Sequence, residues 1–188
     1  MKQVYADSIQ KAKSYYDGVQ DILHDLSHTE RVLENAKDLA ESLGYKDLDF
    51  IEVCVYWHDV ARTQGIEPHE EAGAAMARDD LLARGASQDE ATRAYEAIRF
   101  HKSTANPTTV EGKIVRDADK LEIFAVGRWQ ACADAGWIKE YSDDLKKTIQ
   151  NIGKYPDAFA YDYTKKQFAR RLPKFLAFYE SVKDKLPE

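Results

Sequence analysis

At 188 residues the chain has room for one ordinary domain with a real core, and it needs no staple to fold. Apolar residues make up 44% and charged residues 32%, with a mean hydropathy of -0.61 and no long apolar run, a balance that excludes a membrane span. A net charge of -6 excludes a general binder of nucleic-acid backbone, but not a small phosphorylated ligand, because bound cations would invert the local field.

The opening Met1-Lys2-Gln3-Val4-Tyr5-Ala6-Asp7 carries no apolar signal region, so a cytoplasmic location is expected. The two cysteines, Cys54 and Cys132, fit buried thiols in a reducing compartment and are too few and too far apart for a zinc ribbon. No linker, repeat or low-complexity tract divides the chain, and a single domain over residues 1–188 is expected.

The pattern is helical nearly throughout. A first helical region covers about residues 7–23. Ser27-x-x-Glu30 reads as a capping box, so a helix starts there, with His28 in its first turn. Its apolar face is Val32, Ala36, Leu39, Ala40 and Leu43, and Gly44 ends it. Asp47 caps the next helix, which carries Ile51, Val55, His58 and Asp59. Arg62 to Glu67 reads as a loop, and Pro68 suits the first turn of a further helix. Ala72, Gly73, Ala75 and Met76 give that helix a small-residue face, which permits a close crossing.

Ser87-x-x-Glu90 is a second capping box, and its helix runs through Ala94 and Ile98 to His101. Asn106-Pro107-Thr108-Thr109 is a turn. A helix from about residue 111 carries Ile114, Val115, Ala118, Leu121 and Ala125. A C-terminal helix shows the stripe Phe168, Leu172, Phe175, Leu176, Tyr179 and Val182, with Pro173 as a break or kink. No strand alternation exceeds a few residues, so the fold class is all-α.

The most apolar run, Phe50 to Trp57, ends in the pair His58-Asp59. An imidazole and a carboxylate side by side at the end of a buried segment are two good metal ligands. The five histidines are His24, His28, His58, His69 and His101. Taken alone, each has a structural reading: a hydrogen-bonded pair for His58-Asp59, a helix-start residue for His28 or His69, a helix-end residue for His101, a surface carboxylate for Asp119. His24 is assigned a structural role, and Asp117 is read as a surface carboxylate. Core packing is the default for Trp129 and Trp137. A mixed imidazole and carboxylate set selects a borderline transition metal.

The ordered set His28 in His-x-x-Arg-Val, then His58-Asp59, then Asp119 in Asp-x-Asp-Lys resembles the HD superfamily of metal-dependent phosphohydrolases, over about residues 20–130. His69, in His-Glu-Glu-Ala-Gly, and His101, in Ile-Arg-Phe-His, resemble the extra histidines of its two-metal branches. The resemblance implies an HD-domain helical bundle with C-terminal helices, residues 140–188, packed on the motif-bearing core. It implies one or two divalent ions (Mn, Fe, Co, Ni or Zn) held by His28, His58, Asp59, His69, His101 and Asp119. Metal-activated water would then attack a nucleotide or another small phosphorylated metabolite, with Asp59 in the catalytic set and Lys120 and Arg62 facing the phosphate. Arg31 would brace a ligand carboxylate. The same ligand set also serves di-iron oxygenases, and a metal-binding regulatory module is the third reading. Neither membrane nor stable nucleic-acid binding is expected.

Overall fold

The structure is a computed structural model that describes residues 1–102 and 105–187, and every regular element among them is helical. The chain forms two compact units, Met1–Asp119 and Lys120–Glu188.

The first unit holds α1 (Gln3–Ser14), α2 (Leu26–Ser42), α3 (Leu48–Trp57), α4 (Val60–Thr63), α5 (His69–Ala83), α6 (Gln88–Arg99) and α7 (Val110–Glu122) as far as Asp119. Its axis is α3. Phe50, Ile51, Val53, Cys54, Val55, Tyr56 and Trp57 are all buried, and a helix that is apolar on every side belongs inside a core. Helices α1, α2, α5 and α6 all pack against it. Two polar groups that this burial traps find partners. Trp57 Nε1 donates to Ser8 Oγ at 3.0 Å, and Tyr16 Oη donates to the Tyr56 carbonyl at 3.1 Å.

Several sequence expectations shift in detail. α1 begins at Gln3 rather than near residue 7, because its buried face already starts at Tyr5 and continues through Ile9 and Ala12. It ends at Ser14, and Gly18, at φ 77°, takes the left-handed conformation that a helix cannot use. The cap of α2 is Asp25, which accepts from the His28 N–H at 2.9 Å; Ser27 instead donates its hydroxyl to the same carboxylate at 2.7 Å. A charged acceptor outcompetes a hydroxyl for that helix start. Asp47 caps α3 as expected, accepting from the Phe50 N–H at 3.3 Å.

The Ser87–Glu90 capping box is complete in both directions. The expected loop from Arg62 begins two residues late, since Val60–Thr63 is helical, and Pro68 is the N-cap residue of α5 rather than a first-turn residue. The buried stripe of α5 is Gly73, Ala74, Ala77 and Leu81, whereas Ala72, Ala75 and Met76 are half-buried. A Cβ on Gly73 would stand 3.3 Å from the Trp57 carbonyl oxygen and 3.6 Å from that of His58, so the missing side chain lets α5 press onto the end of α3.

The second unit holds the end of α7, then α8 (Val126–Asp134), α9 (Ser142–Gln150), α10 (Tyr155–Ala158) and α11 (Asp162–Val182). Phe124 is its core residue, with ring centroids 4.8 Å from Tyr155, 4.7 Å from Phe168 and 5.2 Å from Phe175. Trp129 is buried and donates Nε1–H to the Ile123 carbonyl at 2.7 Å. Trp137 is 37% exposed and lies outside the core, against expectation. Ala125 caps α8 instead of extending α7. α11 runs unbroken through Pro173, which is exposed. Its buried stripe is Thr164, Phe168, Phe175, Phe178 and Val182, while Leu176 faces outward. Both cysteines are buried. No described helix is long and apolar enough to cross a membrane.

Candidate metal centre

The pair His58-Asp59 sits in the break between two helices. His58 closes α3 and Asp59 is the N-cap residue of α4. At the last turn of a helix the carbonyl oxygens lack amide partners. His58 supplies one: its Nδ1 lies 2.6 Å from the Val55 carbonyl, three residues back. The same device recurs just after α6, where His101 Nδ1 lies 2.6 Å from the Ile98 carbonyl, again three residues back. A carbonyl only accepts, so both rings carry a proton on Nδ1 and leave Nε2 as the atom an ion would take. That is the tautomer a metal ligand needs.

Four imidazole Nε2 atoms converge on one carboxylate. Asp59 Oδ2 lies 3.4 Å from His58 Nε2 and 3.7 Å from His28 Nε2. Asp59 Oδ1 lies 3.6 Å from both His69 Nε2 and His101 Nε2. One oxygen therefore faces one histidine pair and the other oxygen faces the second. Asp119 Oδ1 stands 3.7 Å from His28 Nε2 on the first side. Asn35, on α2, donates to the Ala118 carbonyl at 3.2 Å and so ties α2 to α7 one residue before Asp119. His69 opens α5, its Nδ1 lying 3.2 Å from Glu67 Oε1. All six groups are buried.

The spacings are wide for hydrogen bonds and close to those of atoms sharing an ion. Ligands ~2.1 Å from a metal at tetrahedral to octahedral angles stand roughly 3.0–3.4 Å apart. His58 Nε2 is buried without a hydrogen bond of good geometry, a cost that an ion would remove. Three groups of donors lie close enough together to hold an ion: the partly exposed Glu67, His69 and Glu70, and two fully buried sets, His28, His58 and Asp59, and Asp59, His69 and His101. Asp59 is common to both buried sets. The electrostatics agree. Burial opposes charge on His58, but Asp59 and Asp119 overcome it and push its pKa up to about 9. Asp59 is held well below the usual carboxylate range: burial opposes its charge, and His58 and His101 more than offset that. For His69 burial prevails over Asp59, and its pKa is lowered. A cluster that holds a proton on one imidazole beside an ionised carboxylate is a place where a cation is favoured.

Arg62 is exposed and lines a cleft of about 330 Å³ with Tyr15, Asp17, Gln20, His24 and Gln64. His24, assigned only a structural role by sequence, links this cleft to the cluster: its ring centroid is 5.7 Å from that of His28. Its Nδ1 is 2.7 Å from Asp21 Oδ2. Lys120 is half-buried and follows Asp119 on α7. Arg31 donates to Ser27 Oγ at 3.0 Å. Asp117 is fully buried with Arg116 Nη2 at 3.5 Å, which corrects its reading as a surface carboxylate; α7 is buried on more than one face, so periodicity could not single out an exposed position. Sequence reasoning missed Glu67, whose only signal is its place two residues before a histidine.

Comparison with solved structures gives the same architecture. A predicted HD superfamily hydrolase from an uncultured Thermotogales bacterium is 25% identical, with 96% of this chain and 91% of that chain covered and a TM-score of 0.68. An HD-superfamily hydrolase from Bacillus thuringiensis is 24% identical, with 96% and 97% covered and a TM-score of 0.64. YpgQ from Bacillus subtilis, solved in complex with ADP, is 19% identical, with 98% of each chain covered and a TM-score of 0.66. No curated protein matches the chain. The HD domain family model matches residues 25–123, more than half of the sequence and the span that holds all six clustered groups, so the chain belongs to the HD domain family.

Proposed function

We propose that the chain is a metal-dependent phosphohydrolase acting on a nucleotide or another small phosphorylated metabolite. The observation that carries the reading is the division of Asp59: one oxygen toward His28 and His58, the other toward His69 and His101. When bound there, divalent transition-metal ions supply an activated water and Lewis-acid polarisation of a phosphoryl oxygen. His28, His58, Asp59 and Asp119 would hold one ion, and His69 and His101, with Asp59, would hold a second. The backbone carbonyls of Val55 and Ile98 keep two of the ligand tautomers fixed.

Arg62 binds the phosphate at the cleft and neutralises charge there, and Lys120, adjacent to Asp119, has the same role. Two structural neighbours described as HD superfamily hydrolases support a hydrolytic reaction, and the ADP bound by YpgQ supports a phosphorylated ligand. The fold carries many chemistries, so the residues of the site bear the argument. The location proposed is cytoplasmic.

The test is phosphate release from a panel of phosphorylated metabolites with Mn²⁺ or Co²⁺, beside elemental analysis of the protein as purified. Metal-dependent release that is lost in Asp59→Ala is the expected result. A coloured iron centre with no phosphate released from any metabolite would overturn the hydrolase in favour of the oxygenase.

A further inference from the structure

We propose that Glu67 is the positioning residue of the second half-centre, fixing the His69 tautomer so that Nε2 is free to bind an ion; this rests on the metal-dependent reading above. His58 and His101 are set by main-chain carbonyls at helix ends. His69 begins its helix instead, and there a side chain is the partner of Nδ1. Its Nδ1 lies 3.2 Å from Glu67 Oε1 and 3.3 Å from Oε2. The His69 backbone N–H donates to Glu67 Oε2 at 3.0 Å, which anchors the carboxylate against its neighbour. Glu70 is farther from Nδ1, at 3.8 Å, and is engaged with Lys102 Nζ at 2.6 Å. Among the described residues, Glu67 hydrogen-bonds only to His69.

An ionised carboxylate can only accept, so Nδ1 carries the proton and the lone pair on Nε2 faces Asp59 Oδ1 at 3.6 Å. The three rings thus reach the same tautomer by two routes of unequal stiffness. A helix carbonyl cannot move without its helix. The Glu67 side chain is 65% exposed and held by its own local contacts. The half-centre that depends on it is the softer one, and its ion is the one a change at residue 67 removes.

The full-length chain is titrated calorimetrically with Mn²⁺ alone, and its imidazole nitrogens are recorded by NMR without metal. Glu67→Ala removes the acceptor and Glu67→Gln keeps one. Glu67→Ala is expected to weaken the second ion ~10–100-fold, leave the first unchanged, and give a mixed His69 tautomer in the metal-free chain. Glu67→Gln is expected to keep the Nδ1–H tautomer and to bind the second ion within a few-fold of wild type. The proposal is overturned if Glu67→Ala matches wild type in both measurements. It is also overturned if Glu67→Gln loses the second ion as fully as Glu67→Ala, because the carboxylate would then be acting as a ligand. If wild type takes up no Mn²⁺, the metal-dependent reading fails, and the metal-free tautomer alone decides the role of Glu67.

Discussion

His58 and Asp59 are neighbours in the chain but belong to different helices: one closes α3 and the other opens α4. That break turns the imidazole back onto its own helix while the carboxylate points into the histidines of three other segments. A continuous helix would have set the two side chains about 100° apart on its surface and given them different surroundings. The break makes one carboxylate the hub of four imidazoles.

The hub sets the first prediction. Asp59→Ala should lower the affinity for both ions by more than ~100-fold, whereas His28→Ala should affect only the ion on the Oδ2 side. Metal stoichiometry by elemental analysis separates the two. Retention of one tightly bound ion in Asp59→Ala would show that the carboxylate is not shared.

Acidity gives the second. His58 has its pKa raised to about 9, with burial opposing and Asp59 and Asp119 favouring the charge, so at neutral pH the metal-free ring holds a proton that an ion must displace. Apparent metal affinity should therefore rise between about pH 6.5 and pH 9 and level off above. Metal-free stability should move the other way. A group whose folded pKa is raised contributes fully below its unfolded value, and that contribution is lost as pH climbs through the folded one. Tm of the metal-free chain should fall from pH 7 to pH 9 while the metal-loaded protein is insensitive. Affinity that is flat over this range would refute the assignment.

Packing gives the third. Gly73 touches the carbonyl oxygens of Trp57 and His58 through space that its missing Cβ leaves. Gly73→Val should destabilise by ~1–3 kcal/mol in urea melts, through overpacking against backbone that cannot retreat. It should also weaken metal uptake, because the displaced carbonyls belong to the ligand segment. Wild-type stability in that variant would mean that α5 can slide freely.

The cleft gives the fourth. Arg62 is exposed at the cleft and forms no ion pair among the described residues. A charged hydrogen bond to a phosphate contributes ~1.5–3 kcal/mol, so Arg62→Ala should lower kcat/KM by ~10–100-fold while leaving metal stoichiometry intact. If kcat/KM is unchanged, the phosphate lies elsewhere.

The helical class and the membership of His28, His58, Asp59 and Asp119 in one ordered set were legible from residue types, spacing and flanking residues. So were the Asp47 cap and the Ser87–Glu90 capping box, because both are local devices that act within four residues. The buried stripe of α11 was legible only in part: Phe168, Phe175 and Val182 face inward, whereas Leu176 does not. Apolar periodicity fixes the angle of a face only to within a residue or so, and the packed neighbour sets the rest.

Tertiary structure alone decided which side of Asp59 meets which histidine, since Oδ1 and Oδ2 are equivalent until four helices surround them. It also decided that Asp117 is buried with Arg116, that His24 links the cleft to the cluster, and that Glu67 holds His69. Chain order lists the groups a site can draw on. Helix crossings, set by features such as the absent side chain of Gly73, determine the distances between those groups, and the chemistry follows from the distances.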